Sequence, residues 1–222
     1  MDFLRENSLY ISLIMGIVAG YPLVRNINHE FKSKTGIQVL LRCCLFTLIS
    51  VVSVVMFAAL ESMISGRGFR YSGVSTYGLY LIAPVIMLVL FRENRSSNFD
   101  AYAFYILPSM VLQRIRCLID GCCIGKTIGN SRFSYPTREL EIFFYIFMIV
   151  ALKKKQNSIK RGAVFPLVML SYSLFRFVEE FMREGVGLIH LAHGWSVISF
   201  VISFSVFVEL NRKNKVGDSY GK

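Results

Sequence analysis

Charge is scarce in this chain: 18% of its 222 residues are charged, and the mean hydropathy is +0.52. An average soluble domain carries roughly a quarter charged residues. The few charges fall in short clusters between apolar runs of about 16 to 20 residues, which is the pattern of repeated bilayer crossing. Disorder and a collagen-like repeat are excluded by the 54% hydrophobic content. Internal repeats, low-complexity tracts and linkers are also missing, so residues 1–222 read as one domain. A cleavable leader is not recognisable either, because no small-residue cleavage site ends the first apolar run.

Cysteine is present but in the wrong pattern for a scaffold. Five is an odd number, and four of them form two adjacent pairs, Cys43/Cys44 and Cys122/Cys123. Neither CxxC spacing nor nearby histidines accompany Cys122 and Cys123, so the expectation is no metal and a role as small hydrophobes. Replacing both is then expected to leave metal content unchanged and activity within about tenfold. The net charge of +11 would suggest nucleic acid in a soluble protein. Polytopic proteins accumulate Lys and Arg in cytoplasmic loops for topological reasons, so no nucleic-acid partner is inferred.

What is present is a series of seven apolar segments: Ser8–Val24, Ile37–Leu60, Gly73–Phe91, Asp100–Ile119, Thr137–Leu152, Gly162–Glu184 and Gly194–Leu210. An all-α, polytopic protein of about seven transmembrane helices follows. The richest basic loops, including Lys153–Arg161 and the tail after Asn211, fall on one side under an N-out, C-in arrangement.

Two segments carry charges that an apolar helix tolerates only when they are paired or wetted. Tyr172, Arg176, Glu180 and Arg183 fall at i, i+4, i+8 and i+11, one face of a helix with ion-pairing spacings. The other is Arg114-Ile-Arg116-Cys117-Leu-Ile-Asp120-Gly121, followed by the cysteine pair and Gly125. His29, His190 and His193 read as loop spectators, and Phe143–Phe147 as lipid-facing or packing surface.

These segments carry a resemblance. Asp100, Arg114 through Gly121, and Gly125 resemble the signature loop of prolipoprotein diacylglyceryl transferases. Tyr135-Pro136-Thr137-Arg138-Glu139-Leu140-Glu141 is similar to that family's segment opening a helix with proline in its first turn, and the Tyr172 to Arg183 pattern matches a third motif in full. Gly194-Trp195-Ser196 is similar to a fourth. Three positions differ: Tyr77-Gly78-Leu79 stands where the family has His-Gly-Gly, Cys117 where it has asparagine, and Cys122 where it has glutamate. The Gly-Cys-Cys-x-Gly pattern corresponds to a divergent branch of the family.

The resemblance implies a bacterial cytoplasmic (inner) membrane enzyme, multi-pass, without a cofactor. Its substrates would be phosphatidylglycerol and a prolipoprotein signal peptide with its lipobox cysteine, and membrane lipids would be its further partners. In that reaction a thiolate attacks a glyceryl carbon and glycerol phosphate leaves, so arginines facing a lipid-accessible cavity are what the step requires. Arg114 and Arg176 are the candidate clamp. Tyr77 is a candidate base, the alternative being a thiol that ionises in the arginine field. Tyr172, Glu180, Arg183, Asp120, Gly121, Gly125, Gly78, Asp100 and Glu141 are the implied substrate-binding set. A paralogue with altered chemistry or another acceptor, and a small anion or lipid transporter, are the alternative readings.

Overall fold

The computed structural model describes residues 8–27, 29–65, 75–129, 133–156, 158–183 and 191–219. Among them are eight helices: α1 (Ser8–Arg25), α2 (His29–Lys32), α3 (Gly36–Ile64), α4 (Tyr77–Leu90), α5 (Arg95–Asp120), α6 (Thr137–Lys155), α7 (Val164–Glu180) and α8 (Leu191–Ser219). The described residues form no strand, only two isolated bridges, Gly125 with Arg183 and Thr127 with Ser134.

The helix ends follow from local chemistry. Thr35 and Gln38 form a reciprocal capping box at the start of α3, each side chain bonded to the other's backbone N–H. Gly121 ends α5 in the left-handed conformation, φ 69°, which only glycine adopts without a Cβ penalty. The start of α7 is capped from a distance: the Asp100 carboxylate accepts from Gly162 N at 2.6 Å and Val164 N at 3.0 Å.

Helix α5 is the central element. It touches α1, α3, α4, α6 and α7, and its residues Ala101 to Leu107 are buried without a break. Gly16 and Gly20 of α1 face Ser109 and Tyr105 of α5 across a close approach, since small residues let helix backbones come together.

The outer surfaces reverse the polarity of a water-soluble protein. Helix α8 buries Ser196, Ser199 and Ser203 and exposes Val197, Ile198, Val201, Ile202 and Phe204. Helix α3 exposes Leu41, Leu48, Val52 and Met56. Both α3 and the Leu191–Leu210 part of α8 are long and apolar enough to cross a membrane, and Tyr10–Arg25 and Tyr77–Leu90 are shorter apolar helices.

Several boundaries differ from the sequence expectation. Helix α5 begins at Arg95 instead of Asp100, because Ser97 and Asn98 are buried and the polar turn is held against the bundle. Helix α8 continues through Ser219 instead of ending at Leu210. Helix α7 stops at Glu180, and Arg183 lies beyond it in an extended bridge to Gly125. His193 is no loop residue: it sits in the first turn of α8, buried between the rings of Phe177 and Phe181. His29 falls in α2, and Glu184 and His190 lie outside the described residues. In the aromatic run, Phe143 and Phe147 are exposed while Tyr145 is fully buried.

Candidate active site

One buried carboxylate organises the site. Glu141, one turn into α6, ion-pairs through Oε2 with Arg114 Nε of α5 and through Oε1 with Arg176 Nη1 of α7, the latter at 3.0 Å. The two arginines, 62 residues apart in sequence, thus meet on one side chain from a third helix. Arg176 also pairs with Glu179, and with Glu180 at 2.8 Å, while Glu179 reaches Arg183 at 3.8 Å. Arg114, Arg176 and Arg183 therefore balance Glu141, Glu179 and Glu180, which is the condition for keeping this many charges out of water. Glu179 stands outside the expected set. Its signal in the sequence is the i+3 spacing from Arg176, which places it beside Glu180 on the same buried flank.

Arg114, Arg176, Glu180 and Arg183 of this cluster line a cavity of about 530 Å³, together with Tyr77 and Asp120 among others. The pairing leaves donors over: Arg176 Nε has no hydrogen-bond partner among the described residues. Asp120 accepts from Arg116 Nε at 3.1 Å, one turn apart on the rim.

The remaining expected residues divide between the frame and the cavity lining. Asp100 is on α5 but 14 residues before Arg114, roughly 21 Å along the axis at the α-helical rise, where it caps α7. Gly78 is packed so closely against α3 that a Cβ there would collide with the Ser53 carbonyl. Gly125 lies under Tyr135 in the same manner, and a side chain at that position would run into the Tyr135 carbonyl oxygen. Gly121 has open space and serves the turn. Tyr172 is buried behind the cavity, sharing a 2.8 Å hydrogen bond with Thr76 and stacked between Tyr80 and Tyr145. Tyr77 lines the cavity with its hydroxyl engaged: it donates to the Ala192 carbonyl at 2.9 Å and shares a 2.6 Å hydrogen bond with Ser196.

The loop after α5 is tied down on three sides. Thr137 Oγ1 donates to the Cys123 carbonyl at 3.0 Å, Arg138 Nη1 lies 3.4 Å from the Cys122 carbonyl, and Lys126 N donates to the Met182 carbonyl at 2.7 Å. Cys123 itself has φ 58°, a left-handed conformation that a residue with a Cβ adopts at a cost of about 1–2 kcal/mol. The fold brings Cys117 to the adjacent pair, with the three sulfur atoms within 4.8 Å of one another. The premise that the pair has no ligand-type neighbours is thereby corrected. Cys117 stands one turn before the helix end, and the turn at Gly121 folds the chain back over it. A hydrogen bond with Cys117, together with the guanidinium groups of Arg183 and Arg114, holds the Cys123 thiol down at about 5, against desolvation.

Residues 8–209 match the sequence profile of the prolipoprotein diacylglyceryl transferases. A phosphatidylglycerol–prolipoprotein diacylglyceryl transferase of Clostridium tetani (strain Massachusetts / E88) is similar at 26% identity over 159 residues, covering 61% of this chain and 64% of that protein. Proteins of the same name from Helicobacter pylori are similar at 29% over 104 residues in strain Shi470 (43% of this chain, 36% of that protein) and at 25% over 171 residues in strain HPAG1 (67% and 61%). In each case the match spans less than two thirds of the relative's own length.

Proposed function

Because the chain belongs to the prolipoprotein diacylglyceryl transferase family, we propose that it transfers a diacylglyceryl group from phosphatidylglycerol to the cysteine thiol of a prolipoprotein. The observation that carries this reading is the convergence of Arg114 and Arg176 on Glu141 at the wall of one cavity. A phosphodiester entering the cavity offers the same oxygens as a carboxylate, so the guanidinium groups exchange one anion for another without moving far. Their positions are fixed beforehand by three helices, and charge developing on the leaving phosphate meets donors already aimed at it.

The seven longer helices are proposed to span the bacterial cytoplasmic membrane, N-out and C-in. The apolar outer faces of α3 and α8 support a lipid surround. A reporter fused after Lys222 is expected in the cytoplasm and one before Leu9 outside; an external C-terminus overturns the orientation.

Tyr77 is proposed to hold α8 against α4, since its hydroxyl hydrogen is directed at Ala192 and away from an incoming thiol. That commitment, with Cys117 and Cys122 at two positions of the family's motif, favours as a second reading a paralogue that binds phosphoglyceride and lipidates a different acceptor.

The deciding experiment is reconstitution with phosphatidylglycerol and a lipobox peptide, read by mass spectrometry of the peptide. A diacylglyceryl adduct is expected, and Arg176→Lys, which keeps the charge and loses the planar fork, should reduce it sharply. An Arg176→Lys protein equal to wild type in lipid binding and transfer would sink the phosphate-clamp assignment. Phosphoglyceride binding without peptide modification selects the second reading.

A further inference from the structure

The cavity holds a second chemical feature that the arginine cluster leaves unused. Cys117 at the end of α5 and Cys122 and Cys123 in the following loop place three sulfur atoms within 4.8 Å of one another, all at the cavity lining. Tetrahedral zinc at a Zn–S distance of about 2.3 Å holds its sulfurs about 3.8 Å apart, so closing on a metal takes only about an ångström of movement. The loop is built to present them. Thr137 and Arg138 fix the carbonyls of Cys123 and Cys122, and Cys123 sits in a strained left-handed conformation. Such strain persists where the surroundings impose it, and the position gains nothing from it as a mere packing residue.

We propose that Cys117, Cys122 and Cys123 bind one zinc ion whose fourth position opens into the cavity and takes the acceptor thiol. Three thiolates and Zn²⁺ carry a net charge of −1. The positive groups around them match: Arg114 Nη1 lies 4.0 Å from both the Cys117 and Cys123 sulfurs, and Arg183 lines the same cavity. Cationic donors beside ligand sulfur offset the negative charge of such a centre. Three protein ligands with one position open is the arrangement of a reactive zinc site, whereas structural sites close all four.

The chemical role rests on the transferase reading above. A thiol entering the fourth position loses its proton to water on coordination, which supplies the thiolate without a side-chain base. The thiolate sulfur then forms a bond to the glyceryl carbon, the bond from that carbon to the phosphate oxygen breaks, and its electron pair leaves with glycerol phosphate. The thioether product is neutral and a weaker ligand, so water replaces it. Zinc changes oxidation state at no point. This accounts for a site in which Tyr77, the side chain offered as a base by the family resemblance, has its hydroxyl occupied by Ala192 and Ser196.

The test is metal analysis of the full chain purified in detergent with a non-chelating reductant, followed by cobalt substitution. Stoichiometric zinc is expected in the wild type and its loss in Cys122→Ser and in Cys123→Ser. Cys122 is exposed, so its replacement does not disturb the core should Cys117→Ser fail to fold. The cobalt protein should show sulfur-to-metal charge-transfer bands that change when a lipobox peptide is added and do not change with the Cys→Ser peptide. Absence of zinc from the wild type, or full retention in Cys122→Ser and Cys123→Ser, overturns the site. Bound zinc whose cobalt spectrum ignores the peptide thiol overturns the activation role. Zinc and the thiol-dependent shift without any diacylglyceryl transfer uphold this inference and refute the phosphatidylglycerol reading instead.

Discussion

At one end of α5 a buried carboxylate is answered by backbone, and near the other end a buried carboxylate is answered by guanidinium groups. Asp100 accepts from two peptide N–H groups at the start of α7. Glu141 is held between Arg114 and Arg176. Both are acidic, both are almost fully buried, and both fall in segments that resemble motifs of one family. Their partners separate them. A peptide N–H belongs to the frame and has no other anion to serve, whereas a guanidinium group carries its charge and its donors to whichever anion occupies the space beside it. Burial and residue type alone therefore do not distinguish architecture from a binding site; the mobility of the partner's charge does.

The largest expected effect comes from removing the charge at the binding end. Glu141→Gln takes from Arg114 the carboxylate it pairs with and from Arg176 one of three, and breaking a buried ion pair by removing one partner costs about 3–5 kcal/mol. The thermal transition of the detergent-solubilised protein should fall by many degrees, with transfer to a lipobox peptide falling alongside it. A Glu141→Gln protein that melts like wild type would erase the distinction between the two ends.

Asp100→Asn is the matching change at the frame end and should be milder. The amide oxygen still accepts, but the charge-assisted part of two hydrogen bonds is lost, about 2 kcal/mol. Melting should shift downward while transfer per folded molecule stays the same. A loss of transfer that exceeds the loss of folded protein would move Asp100 into the site, where the family resemblance puts it.

Much of this comparison is legible in the sequence, and the rest is hidden for identifiable reasons. The apolar runs mark all seven longer helices, and Thr137 stands out as the first residue of α6, because hydropathy and a preceding proline act locally. The Arg176–Glu180 pair follows from helical spacing. The meeting of Arg114 with Glu141 does not, since it depends on how α5 and α6 cross, which no local pattern encodes. Arg183 reads as helical because its spacing continues the periodicity, but α7 ends at Glu180 and the chain turns to bridge Gly125. The cysteine trio is hidden for the same reason as the arginines: Cys117 precedes the turn at Gly121 and Cys122 follows it, so their closeness comes from a reversal of the chain.

Tyr77→Phe gives the smallest expected effect and sharpens the comparison most, because Tyr77 belongs to both regions by position and to one by its bonds. Its ring lines the cavity, yet its hydroxyl ties α4 to α8 through Ala192 and Ser196. If the hydroxyl is part of the frame, its removal costs about 1 kcal/mol, the net worth of an ordinary hydrogen bond. Ser196 keeps its own bond to the Ala192 carbonyl at 3.1 Å, so no buried carbonyl is stranded. Melting should then drop by a few degrees, and turnover should stay within about tenfold of wild type, or roughly 1.4 kcal/mol of transition-state stabilisation. The pH profile of transfer should keep its shape. If instead the hydroxyl exchanges a proton with the acceptor, turnover will fall far more than phosphatidylglycerol binding, and the profile will lose one limb. That second outcome would return Tyr77 to the reacting centre and make zinc activation of the thiol unnecessary.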